Sequence, residues 1–123
     1  MPIRCLVIED DFFTRDVLSL TLRRAHMDVD VASSGQEALT YLKDKQPDVA
    51  IVDLHMPNIS GYDIINMMRN DDKLKDIIIM IITANPSAMK SPEAQKADAF
   101  LPKPIDINKM IALIENLVSV RQS

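Results

Sequence analysis

The side chains able to do chemistry in this 123-residue chain are few and widely spaced. Glu9, Asp10 and Asp11 stand together near the N-terminus, and Asp53 heads the segment Asp53-Leu54-His55-Met56-Pro57. A hydroxyl at Thr83 precedes Ala84, and an ammonium at Lys103 precedes Pro104. Carboxylates gathered in one place repel and raise one another's pKa when nothing lies between them. A hard cation such as Mg²⁺ suits such oxygens: it takes one or two carboxylates, some waters and a phosphate oxygen in an octahedron. Lysine and threonine at the same rim would give that phosphate a charge partner and a hydrogen bond. The set fits metal-assisted phosphoryl chemistry. Singly, each piece has an ordinary structural explanation: an acidic triplet is a solvated turn and helix cap, a lone Asp caps a loop, Thr closes a strand, and Lys-Pro makes a surface turn. Only a fold that brings them together makes them a site.

Four apolar runs, residues 3–8, 29–32, 49–52 and 77–82, read as strands, with a short fifth at 99–101. The first, third and fourth are nearly continuous in Ile, Val and Leu, as strands buried on both faces are. The second alternates through Val29, Asp30 and Val31, as an edge strand does. Helical spacing lies between them. Residues 13–25 put Val17, Leu18, Thr21, Leu22 and Ala25 on one face. Ser34 and Glu37 read as a capping box opening a helix that turns Ala38, Leu39 and Leu42 inward and stops before Pro47. Ile64, Ile65 and Met68 mark a third helix, and Ile107, Met110, Ile111, Ile114, Leu117 and Val118 form the stripe of the last. Residues 87–96 are the weak segment: Ser91-Pro92 interrupts them, leaving at best a short helix from near Pro92. Five strand–helix alternations predict one domain over residues 1–123, an α/β doubly wound five-stranded parallel sheet. Such folds collect functional groups beyond the carboxyl ends of their strands. Glu9–Asp11, Asp53, Thr83 and Lys103 each follow a run.

Composition narrows the function further. With 14 basic and 18 acidic side chains the net charge is −4, which argues against direct binding of nucleic acid. The longest apolar run, 77–82, is far short of the roughly 20 residues a membrane span needs. Residues 3–8 contain Arg4 and run straight into acids, unlike a signal peptide, so a cytoplasmic location is expected. A single Cys5 excludes an internal disulfide or a multi-cysteine zinc site. Gly35 and Gly61 are the sole glycines, so no GxGxxG or Walker loop exists to cradle phosphate. His55 is better placed to line a pocket mouth than to act as ligand or base, while His26 and Arg23-Arg24 read as helix-end residues.

Taken in order and spacing, Val-Ile-Glu9-Asp10-Asp11, Asp53-Leu-His-Met-Pro57 with Gly61, Thr83-Ala84 and Phe100-Leu-Pro-Lys103-Pro104 give the chain a clear likeness. Over essentially its whole length it resembles the receiver (phosphoacceptor) domain of two-component response regulators, in its chemotaxis-regulator-like form. The resemblance implies a flavodoxin-like (βα)5 fold with strand order 2-1-3-4-5. It implies that Asp53 accepts a phosphoryl group from a sensor histidine kinase or histidine phosphotransfer protein. Asp10 and Asp53 would ligate Mg²⁺, or Mn²⁺ in its place, with the main-chain carbonyl of His55, and Glu9 would act through water. Asp11 would be a bystander. Lys103 would pair with a phosphoryl oxygen, its bond to Pro104 being cis. Thr83 would move toward the phosphoryl group and Phe100 turn inward, repacking the face of the fourth helix, fifth strand and fifth helix that controls a downstream effector protein or domain. The result is a signalling switch that catalyses only its own phosphorylation and dephosphorylation. The chemistry agrees, since a carboxylate nucleophile needs no base and charge neutralisation is most of what phosphoryl transfer requires.

Departures from the family pattern fall in one region. Thr83 to Lys103 is slightly shorter than usual, Lys96 replaces the glycine that opens the fifth strand, and His26 replaces one after the first helix. The fourth helix is therefore expected to be short or irregular, with consequences for the usual output and dimerisation surface. The main alternative is a receiver-like interaction module that does not use phosphate, but such a module has no reason to gather repelling carboxylates. A hydrolase of the haloacid dehalogenase type is rejected, because His55 stands where its general acid belongs.

Overall fold

The computed structural model describes residues 1–122. Five strands form one parallel sheet in the order β2-β1-β3-β4-β5: β1 (Arg4–Ile8), β2 (Asp28–Ala32), β3 (Val49–Asp53), β4 (Ile78–Thr83) and β5 (Ala99–Pro102). The helices are α1 (Phe12–Arg24), α2 (Gly35–Asp44), α3 (Gly61–Arg69) and α4 (Ile107–Gln122), the last being the fifth helix of the expected pattern. Fold class and strand order are as the sequence predicts.

The two faces of the sheet explain the apolar runs. β3 and β4 are buried at every residue, because each face carries its own helix layer. Leu6, Ile8, Ala50, Val52, Ile79 and Ile81 pack one way, against Ala38 and Leu42 of α2 and Ile64, Ile65 and Met68 of α3. Cys5, Val7, Val49, Ile51, Ile78, Met80 and Ile82 pack the other way, against Leu18 and Leu22 of α1 and Met110, Ile114 and Val118 of α4. Among the described residues no helix is long and apolar enough to cross a membrane.

Capping differs from expectation at two places. Ser34 accepts from the Glu37 N–H at 3.1 Å, but Glu37 does not complete a box with Ser34. Its carboxylate reaches one residue further back, to the Ser33 N–H at 2.9 Å and the Ser33 hydroxyl at 2.8 Å, where two donors are on offer. A full capping box does form at Ser60 and Asp63, which fixes where α3 starts.

The segment 87–96 holds no α-helix. Two 3-10 turns, Pro86–Lys90 and Ala94–Lys96, take the fourth helix's place. The first lies before the Pro92 start expected from the sequence, and Asn85-Pro86 is the local start signal that opens it. Pro86 at its head is preset for a turn, and the Asn85 Oδ1 accepts from the Ser87 N–H at 3.2 Å and the Ser87 hydroxyl at 2.6 Å. Ser91, preceding a proline, is extended and breaks the run, and its Oγ then accepts from the Ala94 N–H at 3.1 Å.

Arg69 ties this irregular stretch down. At the end of α3, it donates to the carbonyls of Lys75, Ile77 and Lys96 at 2.7, 2.8 and 2.9 Å and pairs with Asp98 at 2.8 Å. Asp98 also accepts from the Ile79 N–H at 2.8 Å, so one ion pair joins α3, β4 and the start of β5.

Candidate functional site

Parallel register brings the strand ends abreast. Ile8, the last residue of β1, lies beside Val52, Asp53 beside Ile82, and Thr83 beside Pro102. Glu9 and Lys103 each stand one residue past a strand end. Both stay aligned with the sheet: the Glu9 N–H donates to the Ala32 carbonyl at 3.1 Å, and the Lys103 N–H to the Thr83 carbonyl at 2.9 Å.

Glu9, Asp10 and Asp53 each offer a carboxylate oxygen, and these oxygens lie within 4.8 Å of one another. Asp53 and Glu9 are buried, and Asp10 is exposed at the rim. Lys103 Nζ sits 2.8 Å from Glu9 Oε1 and 3.7 Å from Asp53 Oδ2. Burial first, and then a hydrogen bond shared with Asp53, pushes the Glu9 carboxyl above its ordinary value, although Lys103 pulls the other way. Partial burial lowers the Lys103 pKa, but Glu9, Asp53 and Asp10 outweigh that and hold it above its usual range. The ammonium therefore stays charged at neutral pH. An all-oxygen donor set of this size suits Mg²⁺ or Mn²⁺ and not a soft metal.

The backbone around Asp53 is equally confined. Its Oδ1 accepts from the His55 N–H at 3.2 Å. A Cβ at Gly61 would strike the Asp53 carbonyl and come within 2.7 Å of Leu54 Cα, so only glycine lets α3 start this close to the strand end.

The remaining sequence-selected residues sit around this centre with different degrees of contact. Thr83 is fully buried, and its Oγ1 accepts from the Asn85 N–H at 3.1 Å rather than touching a carboxylate. Phe100 is half-buried in the same apolar cluster as Ala88 and Met89 of the first 3-10 turn. The His55 side chain is exposed, edge-on to Tyr62 with ring centroids 6.1 Å apart, which places it at the mouth. Asp11 caps α1, its Oδ2 accepting from the Thr14 N–H at 2.8 Å. His26 takes a left-handed φ of 66° after α1, where a glycine is more usual. The Lys103–Pro104 peptide is cis.

One residue at the rim was not singled out by sequence. Arg15 Nη1 donates to the carbonyls of Glu9 and Asp10 at 3.0 and 3.3 Å. An arginine one helical turn after an acidic pair was the available signal.

Comparison with known proteins agrees with this geometry. A model of the response regulator receiver domain matches residues 5–115. Over 120 residues the chain is 31% identical to the DNA-binding dual master transcriptional regulator RpaA of Synechocystis, covering 96% of this chain and 49% of that protein. It thus spans about half the length of that relative. Among solved structures, chemotaxis response regulator CheY4 of Vibrio cholerae superposes with a TM-score of 0.86 at 26% identity, covering 94% of this chain and 98% of that one. Response regulator TrrA of Thermotoga maritima, solved in complex with Mg²⁺ and BeF, gives 0.86 at 28% identity, with the same two coverages.

Proposed function

The chain belongs to the response regulator receiver domain family of two-component systems, and from that membership we propose that its site is a phosphorylation switch centred on Asp53. The observation that carries this reading is the convergence of Glu9, Asp10 and Asp53 oxygens within 4.8 Å, with Lys103 on the same cluster. The donor would be a phosphohistidine on a sensor kinase or phosphotransfer protein. An Asp53 oxygen attacks its phosphorus, the P–N bond breaks, and the imidazole leaves with the electron pair. A carboxylate oxygen is itself the nucleophile, so no general base is required.

Glu9, Asp10 and Asp53, with the His55 carbonyl, would hold Mg²⁺ or Mn²⁺, whose contribution is to neutralise charge on the transferring oxygens. Lys103 shares that task. Its ammonium rests on Glu9 and lies within a small movement of Asp53, so a phosphoryl group on Asp53 gives it a second, doubly charged partner. The Thr83 hydroxyl accepts from the Asn85 N–H at 3.1 Å and donates to the Asn85 carbonyl only at a long 3.5 Å, a weak bond that a phosphoryl oxygen would replace. Movement of Thr83 then disturbs the Asn85-capped turn, and Phe100 shares a cluster with that turn. The surface offered to an effector would be the two 3-10 turns with β5 and α4, in place of a regular fourth helix.

Titration with Mg²⁺ and beryllofluoride, followed by two-dimensional amide NMR, tests this reading. The expected result is saturable shifts at Asp53, Thr83, Phe100 and residues 85–96, absent from Asp53→Asn. Shifts confined to residues 9–11 and 53–55 would contradict the switch while leaving the cation site in place.

A further inference from the structure

Past Ile8 the strand ladder of β1 ends, and the carbonyls of Glu9 and Asp10 lie beyond the last paired residue. Arg15 supplies what the ladder no longer does. From the first turn of α1 its guanidinium reaches back, and a single nitrogen donates to both carbonyls, at 3.0 and 3.3 Å. The guanidinium carbon lies 5.5 Å from the centre of the Phe12 ring. Phe12 is 70% exposed, so it contributes little to the core, and stacking on Arg15 gives the ring a role.

The two carbonyls belong to the peptides that flank the Asp10 Cα. Holding both sets the direction in which the Asp10 side chain leaves, and the first of them also ends Glu9. These two carboxylates must diverge and then meet again: Glu9 runs inward to Lys103, Asp10 stays at the rim, and both come within 4.8 Å of Asp53. We propose that Arg15, braced by Phe12, is a positioning residue for divalent-cation binding, fixing the backbone from which Glu9 and Asp10 present their oxygens. This rests on the cation-site reading above.

Charge and geometry predict opposite signs, which makes the proposal testable. A guanidinium near the site repels a cation, so if charge were its whole influence, removing it would tighten binding. If Arg15 positions the ligands, removing it weakens binding in spite of the relieved repulsion, by the order of tenfold or more that outer-shell partners of metal sites show. Mn²⁺ binding to the full chain, read from the paramagnetic resonance signal of free Mn²⁺, separates the cases. The wild-type chain is expected to bind one Mn²⁺ and Asp10→Asn to lose it. Arg15→Met should bind about tenfold more weakly, with Arg15→Lys, which keeps the charge but not the planar guanidinium braced on Phe12, in between. Wild-type or tighter affinity in Arg15→Met would overturn the proposal and leave the cation site standing. A wild-type chain that binds no Mn²⁺ would overturn both. Should Arg15→Met not fold, Arg15→Lys and Phe12→Ala decide the matter, weakened binding in both supporting the clamp and unchanged binding in both refuting it.

Discussion

Glu9 has no solvent exposure, and it sits against another carboxylate, with Lys103 and a long hydrogen bond from the Asp11 N–H to compensate. Its folded-state pKa lies above its ordinary value of 4.5, burial being the larger cause and the hydrogen bond with Asp53 the next. Between the unfolded and folded values, the native state binds more protons than the unfolded chain, so stability falls as pH rises through that window and is level above it. Cation-free melts across the mildly acidic range are expected to show this decline in the wild type and a flatter profile in Glu9→Gln. A wild-type melting temperature that rises over the same window would contradict the assignment. Cys5 gives a second prediction. Burial, with Asp48 adding to it, pushes its thiol up to about 12. The native chain should resist thiol reagents at neutral pH and release one reactive thiol on denaturation, and prompt labelling of the folded protein would show that β1 opens readily.

Among the elements, the segment between β4 and β5 sets this chain apart. Removing the Arg69 guanidinium, as in Arg69→Met, takes a donor from three carbonyls and leaves the Asp98 carboxylate with the Ile79 N–H and a longer 3.8 Å pairing to Arg121. Charged hydrogen bonds of this kind contribute about 1.5–3 kcal/mol each when lost singly, and the net loss here is expected to be about 2–3 kcal/mol in urea unfolding. A change below about 0.5 kcal/mol would mean that the two 3-10 turns are held by Ala94 and its apolar neighbours alone. At the start of α3, Gly61→Ala forces a methyl into the Asp53 backbone. Overpacking against backbone costs about 1–3 kcal/mol, and here it also displaces the Asp53 carboxylate. Reduced stability with reduced cation binding is expected, and wild-type behaviour in both would show that the loop yields freely. Strand positions were legible because β3 and β4 are apolar up to their last residues, Asp53 and Thr83, a pattern that only a doubly covered sheet rewards. The turns of residues 86–96 were less so: Asn85-Pro86 marks the first locally, but the segment is held by Arg69, which stands 27 residues before Lys96. The half-formed box at Ser34 shows the same limit: the Ser34-to-Glu37 spacing is that of a box, but the neighbouring Ser33 takes the Glu37 carboxylate with its N–H and hydroxyl.

At the scale of the whole molecule, the sheet serves as a ruler. Its parallel register converts residues far apart in sequence, Glu9, Asp53, Thr83 and Lys103, into neighbours at one edge, and this much could be read from the strand-end positions alone. What could not be read is which contacts the site residues make with one another. Lys103 rests nearer Glu9 than Asp53, and the Thr83 hydroxyl engages Asn85. Both are arrangements that a phosphoryl group on Asp53 would redraw, and the energy for any change in the output face must come from those new contacts. The proposed switch therefore depends on covalent modification of one residue. Its most direct test is intact mass after incubation with Mg²⁺ and acetyl phosphate, beside Asp53→Asn and a sample with chelator. The account predicts one added phosphoryl group on the wild-type chain, absent from both controls. An adduct that persists in Asp53→Asn would contradict it, because the phosphate would then sit elsewhere.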